Sequence, residues 1–191
     1  MAPVFAAGLA LGALAGCGGG SAPAPGTTSA ASGAPGLPTT GATASISVRS
    51  PAFGAGQPIP AEYTCDGAGE PPPLSWSGVP GSAGSVALVV DDPDAPGGTF
   101  THWVLAGLPA TDGSVRGGTV PSGAVQALSS AGSAGWTPPC PPGGTHHYRF
   151  TVYALSGPAP FADGVGTQEA LGAIRSAAVA SGTLVGVYSR N

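Results

Sequence analysis

Three short stretches of this 191-residue chain hold side chains that can do chemistry: Asp92-Pro93-Asp94-Ala95-Pro96, His102-Trp103, and Pro139-Cys140-Pro141-Pro142-Gly143 running into His146-His147-Tyr148. They bring carboxylates, imidazoles, a phenol and a cluster of prolines together in a chain of which only 7% is charged. An aspartate beside an imidazole is the minimal unit of proton transfer, and a pair such as Asp94 with His146 could support weak hydrolysis. Proline restricts the backbone, so groups flanked by it stay where they are placed. Each piece also has a structural use. Asp-Pro and Pro-Pro segments build tight turns, and a His-Trp pair on a strand packs a core.

The usual catalytic signatures are missing. There is no Gly-x-Ser-x-Gly elbow, no His-Glu-x-x-His helix, no phosphate-binding glycine loop and no Cys-x-x-Cys. The histidines and aspartates do not follow metal-ligand spacing. No enzyme, metal or cofactor is expected on these grounds.

The elements that must carry these residues read as short strands. Ile46 and Val48 alternate with polar neighbours, Ser85 to Val90 is a run suited to a buried strand, and Phe100 to Leu105 is another. From His146 to Ala154 the alternation is clearest: His146, Tyr148, Phe150 and Val152 share one face, and His147, Arg149, Thr151 and Tyr153 share the other. His146 and Tyr148 are therefore expected on the inner face and His147 toward water. One helix is predicted near the C-terminus, with Thr167 as N-cap, Glu169 in the first turn, Leu171, Ile174 and Ala178 on one side, and Gly182 as the stop. A last strand runs from Thr183 to Tyr188. Many short strands and one helix point to a mainly β antiparallel sandwich.

The N-terminus says where the chain works. Val4 to Ala15 is an apolar run too short to span a bilayer and right for the core of a signal peptide. It closes on Leu14-Ala15-Gly16-Cys17, similar to a bacterial lipobox, so residues 1–16 are expected to be removed and Cys17 to carry the lipid. No Lys or Arg precedes the run. Residues 17–44 are then the lipidated cysteine and a Gly/Ala/Pro/Ser/Thr tether, which cannot bury enough apolar surface to order itself. Residues 45–191 remain as the folded domain. A net charge of −4 gives no basic surface for nucleic acid or for anionic lipid headgroups. The expected setting is extracytoplasmic, lipid-anchored to the bacterial envelope.

Six elements taken in order carry a family likeness: Ile59-Pro60 through Tyr63-Thr64-Cys65-Asp66-Gly67, Pro72-Pro73-Leu74-Ser75-Trp76, the Asp92 to Pro96 stretch, His102-Trp103, Pro139 to Gly143, and His146-x-Tyr148. They resemble the phosphatidylethanolamine-binding proteins, in their bacterial Raf-kinase-inhibitor-like branch, from about residue 50 to 190. The resemblance implies a Greek-key β-sandwich with a small pocket for phosphate or the phosphoryl head of a lipid. It carries the ligand-binding role onto Asp92, Asp94, His102, Pro139, His146 and Tyr148.

In such a pocket Asp92 or Asp94 would orient and charge His102 or His146, which then offers its second N–H to an anion, while Tyr148 donates its O–H. The resemblance leaves a second reading, an interaction module that inhibits a kinase or protease. It also sets Cys65 and Cys140 near the pocket, as a disulfide or as two buried thiols. The chain departs from the family at Thr137 and Pro138, where relatives have a glycine pair. It departs again at Gly107 for asparagine, at His147 for arginine, and in the stretch from Ala177 to Ser181. These departures bear on ligand preference rather than on fold.

Overall fold

The computed structural model describes residues 45–191. The signal peptide, Cys17 and tether expected within residues 1–44 lie outside the described residues. Eight strands and one α-helix follow in order: β1 (Ser47–Arg49), β2 (Leu74–Ser77), β3 (Ser85–Asp92), β4 (Phe100–Leu108), β5 (Gly113–Val115), β6 (Val125–Gln126), β7 (Gly144–Leu155), α1 (Thr167–Ala177) and β8 (Ala178–Arg190). They form a three-stranded sheet, β1-β2-β5, and a five-stranded sheet, β6-β4-β3-β7-β8, with every strand pairing antiparallel. The chain is mainly β, as expected. Within the larger sheet β7 returns to lie beside β3, so the order β7-β3-β4-β6 is a Greek key, with β5 lent to the other sheet.

The larger sheet is covered on both faces, which explains why Val86 to Val90 reads as an unbroken apolar run. Val86, Leu88 and Val90 join Trp103, Leu105, Phe150, Val152 and Leu184 in the core facing the small sheet, where Val48, Leu74, Trp76 and Val115 meet them. Ala87 and Val89 turn the other way, with Val104, Ala106 and Leu155, against Ala170 and Ile174 of α1. At about 1.5–3 kcal/mol per large apolar side chain removed from water, these two layers supply the main drive for folding.

Two features of the C-terminal segment differ from the sequence expectation. Gly166, not Thr167, is the N-cap, and the Thr167 hydroxyl donates to the Leu128 carbonyl at 2.6 Å instead of capping the helix. Gly182 does not stop the helix. The chain passes from Ala177 straight into β8, and Gly182 lies inside that strand, where any Cβ would collide with the Ile46 carbonyl. Glycine is there for the close approach of the chain near β1 to β8, where Ile46 N–H donates to Ser181 O at 3.1 Å. Ala178 consequently belongs to β8, and the helix buries Ala170 and Ile174.

Two β-bulges interrupt the β3–β4 ladder. Val90 pairs with Trp103 and Asp91 with Thr101, leaving His102 as the extra residue. Val86 pairs with Leu108 and Ala87 with Ala106, leaving Gly107. Strict alternation would put His102 and Trp103 on opposite faces. The bulge lets both face inward, Trp103 into the core and His102 toward its edge.

Candidate functional site

At one end of the sandwich a cavity of about 190 Å³ opens where β3, β4 and β7 meet the loop between β6 and β7. Asp92 ends β3 and lines the wall, Phe100 and His102 come from β4, and His146 and Tyr148 from β7. The β3–β4 turn adds Ala95 and Pro96, and the long loop adds Thr137, Pro138, Cys140, Pro141 and Pro142. Five of the twelve lining residues are therefore prolines or the cystine half between them, and this frame costs little entropy to hold in place.

Asp92 organises the site. One carboxylate oxygen accepts from the Asp94 backbone N–H at 2.8 Å, fixing the turn, and the other accepts from His146 Nδ1 at 2.7 Å. Asp92 is 3% exposed and His146 7%. With Nδ1 committed to Asp92, Nε2 is the His146 nitrogen available to a ligand.

His102 is held differently. Its Nδ1 donates to the Thr137 carbonyl at 2.7 Å, and the Thr137 N–H returns a bond to the His102 carbonyl at 2.9 Å. Burial holds its pKa below the usual imidazole value. The Thr137 carbonyl, Asp92 and Asp91 pull the other way but do not overcome it. Of the two histidines that an aspartate was expected to charge, His146 has the carboxylate and His102 has a carbonyl. The Tyr148 ring lies edge-on to His102, centroids 5.3 Å apart, and its phenol is raised above its ordinary pKa by burial and by Asp92 and Asp94. It stays protonated.

Two expected site residues stand away from the lining. Asp94 turns outward, accepting from the His147 backbone N–H at 2.8 Å and from the exposed His147 ring at 2.7 Å, and the hydrogen bonds from His147 hold its carboxyl below the ordinary value. Pro139 contributes its carbonyl to the Cys65 N–H at 3.0 Å. That bond sits beside the Cys65–Cys140 disulfide, whose Cα atoms are 5.4 Å apart and which fastens the proline loop to the loop after the short 3₁₀ turn Ala61–Tyr63. Phe100, Thr137 and Pro138 complete the wall; the sequence marked Thr137 and Pro138 only as departures from the family, and did not mark Phe100 as a site residue. Thr137 acts through its backbone, which leaves no side-chain signal to read. Among the described residues, no group of three or more His, Cys, Asp or Glu side chains is placed to hold a metal.

The sequence profile of the phosphatidylethanolamine-binding proteins matches residues 49–189, nearly the whole described fold. The chain belongs to that family. Among solved structures, the candidate phosphatidylethanolamine-binding protein homologue CT736 of Chlamydia trachomatis superposes with a TM-score of 0.72 at 38% identity, covering 77% of this chain and 99% of that one. A UPF0098 protein of Methanothermobacter thermautotrophicus is 39% identical over 122 residues, 61% of this chain and 81% of its own. A candidate lipoprotein of Mycobacterium tuberculosis, LppC, is 43% identical over 117 residues, 60% of this chain and 58% of its own length. The family assignment gives this chain the two-sheet β fold of its relatives.

Proposed function

We propose that this phosphatidylethanolamine-binding family member is a non-catalytic binding protein of the cell envelope, whose cavity takes a small anion: phosphate or the phosphorylated headgroup of a lipid. The observation that carries the reading is the buried Asp92–His146 pair, which spends one ring nitrogen on the carboxylate and leaves the other for the cavity that the Tyr148 phenol also lines. When doubly protonated, that ring offers a charge-assisted N–H donor, and the phenol offers a second donor. The volume, about 190 Å³, is below the range for drug-sized ligands and fits a headgroup rather than an acyl chain.

Binding is favoured over turnover because the lining supplies no activated nucleophile. Its hydroxyls are Thr137 and Tyr148, its cysteine is in a disulfide, and no base holds either hydroxyl. Anchorage rests on the lipobox-like Cys17 and is supported by the likeness to a candidate lipoprotein.

The test is a titration of the detergent-purified chain with phosphate and with phosphoethanolamine, read on the ¹⁵N-labelled rings of its three histidines. Shifts confined to His102 and His146 are expected. Ring signals unmoved at millimolar ligand would overturn the reading.

A further inference from the structure

Two buried polar atoms have no protein partner among the described residues, His102 Nε2 and the Tyr148 hydroxyl. Both residues line the same cavity, and their rings are edge to face. They are not chemically equivalent. A hydroxyl both donates and accepts. The state of Nε2 is fixed from the other side of its ring: Nδ1 bonds to a carbonyl oxygen, which can only accept, so Nδ1 carries the hydrogen and Nε2 of the neutral ring is a bare lone pair. The charged and titratable groups around the ring are Asp91, Asp92, His146 and the protonated Tyr148. The two aspartates favour a second proton, His146 opposes it, and burial outweighs the aspartates.

A cavity meant for any anion would offer donors alone. Here an oxygen without a hydrogen, placed against His102, meets a lone pair, and a buried acceptor loses its water without gaining a partner. Resting on the anion reading of this cavity, we propose that His102 makes the site selective for anions that bring their own hydrogen-bond donor: the ligand accepts from Tyr148 and donates to His102 Nε2. Inorganic phosphate qualifies, since both its singly and doubly charged forms keep a P–O–H. A phosphoethanolamine headgroup qualifies through its ammonium. Sulfate does not.

Calorimetry of the full chain in detergent, at matched ionic strength and at pH 5 and pH 8, separates the cases. Leaving a buried acceptor unpaired translates into about a 5- to 150-fold loss of affinity. Phosphate is expected to bind that much more tightly than sulfate at both pH values, including pH 8, where the two carry similar charge. Methyl phosphate should match phosphate at pH 5 and fall toward sulfate at pH 8, because its second ionisation near pH 6 removes its last P–O–H.

A ring that merely charges with falling pH would strengthen all three anions together and leave their ratios unchanged. Glycerophosphoethanolamine, a diester without P–O–H, identifies the source of the donor: affinity at or above that of phosphate places it on a lipid headgroup's ammonium, and affinity near that of sulfate places it on free phosphate.

His102→Leu should bring the phosphate-to-sulfate ratio close to one. If that variant does not fold, the ¹⁵N signals of the unaltered protein decide: on adding phosphate, Nε2 of His102 should move as a lone pair accepting a hydrogen bond while Nδ1 stays protonated, and sulfate should leave it in place. Equal binding of phosphate and sulfate, or protonation of Nε2 in the complex, would overturn the proposal while leaving an anion site standing. Failure of every anion to bind would remove the site itself.

Discussion

His102 and Thr137 hold each other by two hydrogen bonds, ring Nδ1 to the Thr137 carbonyl at 2.7 Å and Thr137 N–H to the His102 carbonyl at 2.9 Å. The pair ties strand β4 to the proline loop and so sets both the orientation of the ring and the position of the wall opposite it.

Because His102 binds its second proton less readily when folded, the unfolded chain takes up more protons between the folded pKa and the ordinary value near 6.5. Its contribution to stability is therefore complete above about pH 6.5 and declines as pH falls through that value. Urea midpoints at pH 7.5 and 5.5 should show a drop that is reduced in His102→Gln. An equal drop in both proteins would place the titration elsewhere.

Replacing Asp92 by Ala strips His146 of its buried acceptor and the Asp94 N–H of its turn partner. A loss of about 1–3 kcal/mol is expected for an unsatisfied buried group, together with loss of phosphate binding. Denaturant unfolding and calorimetry check the two effects separately. Asp94→Ala, at an exposed pair with His147, should leave stability nearly unchanged.

The Cys65–Cys140 bond closes a loop across 75 residues. Chain entropy alone puts its contribution near 4 kcal/mol. Unfolding with and without reductant measures this, and the reduced protein should also bind phosphate more weakly, because the bond secures the loop that bears Pro138, Pro141 and Pro142.

Gly182→Ala should cost at least about 3 kcal/mol, since the new methyl meets backbone of Ile46 rather than a side chain able to move. Thermal unfolding of the purified variant, or its absence from the folded fraction, reports the outcome.

How far the chain could be read depended on periodicity. The alternation from His146 to Ala154 is present in β7, where His146, Tyr148, Phe150, Val152 and Ala154 are buried and His147 is exposed, because a regular strand imposes a period of two on its side chains. Bulges break that period and carry no side-chain signature, so the inward aim of His102 beside Trp103 was not legible. Gly107 shows the same limit. Read as a departure bearing on ligand preference, it lies outside the cavity lining, at the second bulge with φ of +79°.

Asparagine tolerates the left-handed region better than other non-glycine residues, so one backbone requirement accounts for either residue there. Gly182 failed as a helix stop for a related reason: sequence shows a glycine, while the carbonyl it must accommodate comes from residue 46.

The Greek-key order has a consequence in time. Strand β3 gains β4 as a neighbour almost at once, but its other edge waits for β7, since Val90 pairs with Phe150 roughly sixty residues later, or about 3–12 s of synthesis at typical elongation rates. Through that interval Val86–Val90, the most apolar stretch of the sheet, has one edge open. A chain with this strand order must be kept apart from its copies until its last third has been made.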